Sequence, residues 1–262
     1  MTFDQLRRAK KALRNFQRTG LARFGRVNGF VFALSLCIFI LGSAGCAQYA
    51  TTQAGPGSTT TPHQKGLQQI TYVAIGASDT FGIGTGDPYD DNWPTDLAYL
   101  LGASHIHLIN LGIPGITIHD ALNLELPVAL DSHPDLVTIW LGVNDIAAKV
   151  PISSFANDLN TLLTRLQANS PHARIAIANI PDLTLLPAFG GADPQLLSQQ
   201  IQAYNTAIAG NAQQHQAILI DLTTQNYNLQ AHPEYISSDG LHPNDIGYQQ
   251  LAKLFYQALE HQ

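Results

Sequence analysis

The 262-residue chain is 45% hydrophobic and 12% charged, with 21 Gly, 14 Pro and two Cys. It is long enough to bury one sizeable core, its Gly and Pro usage excludes collagen-like architecture, and its hydrophobicity excludes intrinsic disorder. The net charge of −6 averages two unlike parts. Eight of the thirteen basic residues (Arg7, Arg8, Lys10, Lys11, Arg14, Arg18, Arg23 and Arg26) and one acid, Asp4, precede Cys46. Five basic and eighteen acidic residues remain from Cys46 onward, a net of −13. A field of that sign opposes nucleic acid and other polyanions as partners.

The basic stretch leads into Phe30 to Leu41 (FVFALSLCIFIL), which carries no charge, and then into the small residues of GSAGC. A basic region, a short apolar run and a small-residue exit form the pattern of an export signal. The run falls short of the roughly 20 residues a spanning helix needs, although Gly29 to Ala44 extends it. Ser43-Ala44-Gly45-Cys46 resembles the lipobox of bacterial lipoprotein signal peptides, with Ser43 where that pattern prefers Leu. The resemblance implies lipid attachment at Cys46; an uncleaved signal anchor and ordinary cleavage near Ala47 are the alternatives. Arg7-Arg8 is not a twin-arginine signal, because Lys10 and Lys11 stand where apolar residues belong. Residues 1–45 are therefore expected to be a signal peptide or membrane anchor. Residues 46–69, rich in Thr, Ser, Gly, Gln and Pro, have no apolar periodicity and read as a flexible tether. The body, residues 70–262, is placed outside the cytoplasm, either tethered to the bacterial cell membrane or secreted.

Within the body, Ile70 to Ile75, His105 to Leu111, Leu136 to Leu141, Arg174 to Ile180 and Ala217 to Asp221 fit buried strands. Between them lie helices. Pro94 opens one through Leu101, with Gly102 as its stop. Phe155, Leu159, Leu162, Leu163 and Leu166 recur on one helical face. Pro194 opens another, with Leu197, Ile201, Tyr204 and Ile208 on a stripe, and a last helix from about Asn244 carries Leu251, Leu254 and Phe255. Strands alternating with helices predict one three-layer α/β/α sandwich around a five-stranded parallel sheet. In such sheets the chemistry gathers beyond the carboxyl ends of the strands.

The loops there carry Gly76-Ala77-Ser78-Asp79-Thr80 after the first strand and Asn110-Leu111-Gly112 after the second. Gly142-Val143-Asn144-Asp145 follows the third, and Asp239-Gly240-Leu241-His242-Pro243-Asn244 lies beyond the fifth. A serine attacks only when a base takes its proton and a third group holds that base in the right tautomer. Ser78, His242 and Asp239 supply the three types. The backbone N–H groups of Ser78 and Gly112 and the Asn144 amide are candidate donors to a developing oxyanion. These four segments, in this order, resemble the signature blocks of the SGNH (GDSL) hydrolase family, over essentially the whole body.

The resemblance implies the flavodoxin-like sandwich, Ser78 as nucleophile, Asp239 and His242 as the rest of the triad, and Ser78, Gly112 and Asn144 as oxyanion hole. It implies hydrolysis of small, lipid or glycan esters through an acyl-enzyme, without metal or organic cofactor. A monomer is expected, with membrane contact only through the N-terminal segment. The family usually has Asp where Ala77 stands, and Asp79 is expected to take over part of its loop-fixing role. Asn110 and Asp145 are expected to bond loops. An O-acyltransferase on the same scaffold and a non-catalytic glycan-binding surface lipoprotein are the alternatives. Gly82, Gly84 and Gly86 read as flexible loop glycines, since the third glycine of a dinucleotide loop is missing. His105, His107 and His119 lack a spaced ligand set. Phe81, Trp93, Leu185, Leu186 and Phe189 are candidate pocket residues.

Overall fold

Five parallel strands form the sheet: β1 Ile70–Gly76, β2 Ile106–Asn110, β3 Leu136–Trp140, β4 Arg174–Ala178 and β5 Ile218–Ile220, in the order β2-β1-β3-β4-β5. The computed structural model describes residues 69–223 and 227–261. The expected export segment, Cys46 and all but the last residue of the tether lie outside them. β3 is buried along its length and β1 through its last five residues, as the continuous apolar runs require of strands covered on both faces. Tyr72 and Thr138 meet inside the sheet through a 2.9 Å hydroxyl hydrogen bond, so these two buried hydroxyls are paired.

The predicted helices form. α2 Trp93–Leu100 is capped by the Asn92 side chain, which accepts from Thr95 N–H at 2.9 Å. Gly102 follows it in the left-handed conformation, the glycine stop the sequence suggested. α6 Ile152–Asn169 buries the five predicted stripe residues, and α7 Pro194–Gln214 starts with Pro behind an Asp193 cap. α8 Asp245–Glu260 is capped by Asn244, whose side chain accepts from Ile246 and Gly247 N–H. α2 and α8 pack together, whereas α6 packs on α7 and on the short helices before β3.

Four short helices carry no periodicity long enough to be read in advance: α1 Ser78–Phe81, α3 Ile118–Leu124, α4 Leu126–Asp131 and α5 Val143–Ala147. Of these, α3 has a readable signal, a capping box in which the Thr117 side chain accepts from Asp120 N–H and the Asp120 side chain accepts from Thr117 N–H. Trp93, a candidate pocket residue, is instead core: it is fully buried and stacks on Phe255 with ring centroids 4.4 Å apart.

The chain runs from β1 outward to β2, then back across to β3 on the other side of β1. Gly76 pairs with Trp140 in register, so the β1 and β3 ends reach the same level and their following loops diverge. That divergence opens a crevice at the topological switch point.

Candidate active site

Ser78 opens α1 directly beyond β1, where the first N–H groups of a helical turn have no partner inside it. Three other elements hold this turn. Asn110, at the end of β2, donates from Nδ2 to Thr80 O (2.7 Å) and accepts Gly112 N–H at Oδ1 (3.0 Å). Glu125, between α3 and α4, accepts Gly76 N–H at Oε1 (3.3 Å). Gly112 lies against the turn so closely that a Cβ there would meet Phe81 N at 2.4 Å and Thr80 C at 2.8 Å. Asn110 is therefore the structural bond the sequence predicted. Glu125 went unnoticed there, because a lone Glu in the LNLELP stretch gives no sign of burial.

His242 comes from the loop before α8. Its Nε2 lies 2.9 Å from Ser78 Oγ and its Nδ1 lies 2.7 Å from Asp239 Oδ2, so the three side chains form one hydrogen-bonded series. Asp239 Oδ1 accepts from Leu241 N–H, His242 N–H and the Ser237 hydroxyl at 2.7–3.0 Å. Partial burial pushes the Asp239 carboxyl upward. The hydrogen bonds from Leu241 N–H, the His242 ring, the Ser237 hydroxyl and His242 N–H outweigh it and hold the group well below the usual carboxylate range. It thus stays ionised opposite the imidazole.

The loop itself is fixed on both sides. Ser237 N–H donates to His242 O at 2.8 Å, and Gly240 O accepts Ala188 N–H at 3.1 Å. Gly84, read as a flexible glycine, is a packing requirement: at φ +101° its missing Cβ would meet Pro243 O at 2.3 Å and His242 Cβ at 3.0 Å.

Asn144 stands in α5, just beyond the β3 end that registers with Gly76. One amide hydrogen goes to Ile116 O at 2.9 Å. The neighbouring Asp145 is buried and accepts Ile118 N–H at both oxygens (3.2 Å each), the loop bond expected of it. Burial pushes its carboxyl up to about 6 against that bond. Gly112 N–H donates its single hydrogen to Asn110 Oδ1, whereas the Asn144 amide has a second hydrogen besides the one given to Ile116 O.

Asp79 does not fix the loop. Among the described residues, the only hydrogen bond to its carboxylate comes from its own N–H, and Asn110 and Glu125 do the anchoring instead. Its side chain lines a small cavity of about 30 Å³ whose other walls include Trp140, Leu186, Tyr227, Tyr235 and Leu241. Burial pushes the Asp79 carboxyl up to about 6, the His242 ring pulling it down and the Asp239 charge pushing it up. Of the candidate pocket residues only Leu186 lines this cavity; Leu185 faces a separate groove with Leu222 and Asn228. Phe81 stacks edge-on against Tyr89, and Phe189 packs on the core.

His107 is exposed on β2 and His119 pairs with Asp158 at 3.2 Å. Among the described residues no group of three or more His, Cys, Asp or Glu is placed to hold a metal ion.

The chain is similar to known proteins in sequence and in fold. Residues 74–250 match the GDSL-like Lipase/Acylhydrolase family. An arylesterase from Vibrio mimicus is 25% identical over 184 residues, covering 69% of this chain and 84% of that protein. Two solved structures share the fold. An acetyl xylan esterase has a TM-score of 0.59 and 22% identity, covering 72% of this chain and all of that one. A lipase/acylhydrolase from Enterococcus faecalis has a TM-score of 0.60 and 21% identity, covering 74% and 96%. The family match extends from β1 into α8 and so takes in every loop that meets at the switch point; the chain belongs to the GDSL-like lipase/acylhydrolase family and is a serine hydrolase acting on ester bonds.

Proposed function

We propose that Ser78 is the nucleophile of a carboxylic-ester hydrolase, with His242 as general base and acid and Asp239 as its orienting carboxylate. The observation that carries this is the unbroken series from Ser78 Oγ through the His242 ring to Asp239, at 2.9 and 2.7 Å. Ser78 Oγ bonds to the ester carbonyl carbon while its proton passes to His242 Nε2. The carbonyl carbon–alkoxy oxygen bond then breaks, and the same proton leaves with the alcohol. Water repeats the sequence on the acyl-enzyme, releasing the acid and restoring Ser78. Asp239 holds Nδ1–H and stabilises the imidazolium formed in between. Ser78 N–H and the second amide hydrogen of Asn144 are the principal oxyanion donors, and Gly112 N–H shares itself with Asn110.

Small esters suit this reading, in keeping with the arylesterase and the acetyl xylan esterase that the chain resembles. The export-like pattern of the N-terminal segment supports an extracytoplasmic site for this activity, with lipid attachment at Cys46, an uncleaved anchor or cleavage near Ala47 as its routes. The test is covalent labelling by a fluorophosphonate, together with a series of esters graded from acetate to long acyl chains. Ser78→Ala is expected to lose both labelling and turnover; labelling that persists in the variant sinks the assignment.

A further inference from the structure

The loop that carries Asp239 and His242 contains one further residue on which both depend, and its role rests on the triad proposed above. Asp239 is poorly sheltered for an orienting carboxylate: its side chain is 40% exposed, against 13% for His242. The last torsion of an aspartate is broad, so a carboxylate open to water turns and exchanges its two oxygens. Water also competes for each of them. A base held by such a group has no fixed acceptor unless the loop decides which oxygen faces it.

That decision is made at Oδ1. Leu241 N–H (2.8 Å), His242 N–H (3.0 Å) and the Ser237 hydroxyl (2.7 Å) all donate to it, which leaves Oδ2 for His242 Nδ1 at 2.7 Å. Two of these donors are backbone amides on the C-terminal side of Asp239, and any residue except proline supplies them there. Ser237 is the one side chain of the three, and it approaches from the N-terminal side, so the carboxylate is gripped from both directions. A hydroxyl has a single hydrogen to give. Asp239 N–H reaches Ser237 Oγ at 3.4 Å, which turns the oxygen lone pairs toward that amide and the hydrogen toward Oδ1.

The backbone of the same residue holds the base. Ser237 N–H donates to His242 O at 2.8 Å, and Gly240 N–H donates to Ser237 O at 3.0 Å. Ile236 and Pro243, the outer neighbours of Ser237 and His242, pair as an antiparallel bridge. The hydroxyl has little room to leave: a Cβ on Gly84 would stand 3.1 Å from Ser237 Oγ. We propose that Ser237 is a positioning residue for ester hydrolysis, its hydroxyl locking Asp239 in the rotation that presents Oδ2 to His242. It acts on turnover through Asp239 and makes no contact with substrate.

Ser237→Ala removes the hydroxyl and keeps both backbone bonds. On p-nitrophenyl acetate it is expected to lower kcat by roughly tenfold or more with KM nearly unchanged, since a loosened base is costly and no substrate contact is lost. Ser238→Ala, at the exposed neighbour, is expected to leave kcat as it is. The deciding comparison uses Asp239→Ala, where the hydroxyl has no carboxylate to lock: adding Ser237→Ala there is expected to cost nothing more. Wild-type kcat in Ser237→Ala, a loss confined to KM, an equal loss in Ser238→Ala, or the same fold loss in both backgrounds overturns the role. If Asp239→Ala is severely impaired while Ser237→Ala is not, Ser237 alone is removed and the triad stands. If Asp239→Ala turns over like the wild type, the triad itself fails, and the role of Ser237 fails with it.

Discussion

Glu125→Gln is the substitution whose outcome follows most directly from the structure. Glu125 is 1% exposed, accepts Gly76 N–H at one oxygen and has no partner for the other. Burial pushes its carboxyl from 4.5 up to about 8, the Gly76 bond pulling it down. Between those values the folded protein keeps a proton that the unfolded chain releases. Stability therefore falls as pH rises through the window, and the penalty is complete only above pH 8. One pKa unit corresponds to about 1.4 kcal/mol, so the full shift costs about 5 kcal/mol and the part between pH 6 and 8 about 2 kcal/mol. Gln keeps the acceptor for Gly76 and never ionises, so its stability should not fall in this way. Asp79 and Asp145, each raised to about 6, contribute their share mainly below that interval and do so equally in both proteins.

The measurement is urea unfolding followed by tryptophan fluorescence at about pH 6 and pH 8. Both tryptophans of the chain, Trp93 and Trp140, are buried in the core and report its loss. The wild type is expected to lose about 2 kcal/mol more than Glu125→Gln across the interval. Parallel losses in the two proteins would refute a buried, protonated Glu125.

Two further outcomes concern the reacting groups. Asn144→Ala is expected to lower kcat by on the order of 10²–10³ with KM nearly unchanged in steady-state kinetics; a loss confined to KM would remove Asn144 from the oxyanion site. Gly84→Ala adds a Cβ 2.3 Å from Pro243 O and 3.0 Å from His242 Cβ at a left-handed φ. It is expected to lower kcat at least roughly tenfold and to reduce Tm, since small misplacement of a base is costly; full activity would show that the His242 loop yields without consequence.

The five strands and the long helices were legible in the sequence because each shows as an apolar run or stripe. The α6 stripe from Phe155 to Leu166 and the opening Pro194 of α7 came out as written. Ser78, His242 and Asp239 were legible because a parallel sheet delivers the residues that follow its strands to one edge. What escaped was short or depended on partners distant in sequence. α1 and α5 are single turns with no period to read. Glu125 is buried only because β1 ends beside it. Trp93 stands near loop residues in sequence, yet Phe255 of the last helix claims its face. Asp79 was expected to serve the loop. Nothing in GASDT says that Asn110 and Glu125 already hold that loop, leaving the carboxylate to the cavity.

Ser78 and His242 are 164 residues apart, the first at the opening of the sheet and the second at the threshold of the last helix. The hydroxyl is an ordinary alcohol until α8 has docked on α2 and brought the imidazole within 2.9 Å. Ester cleavage is consequently a report on the finished molecule. On the proposed triad, a chain still emerging or lacking the docking of its last helix holds a serine without its base, so hydrolysis is expected only where these two ends of the body have come together.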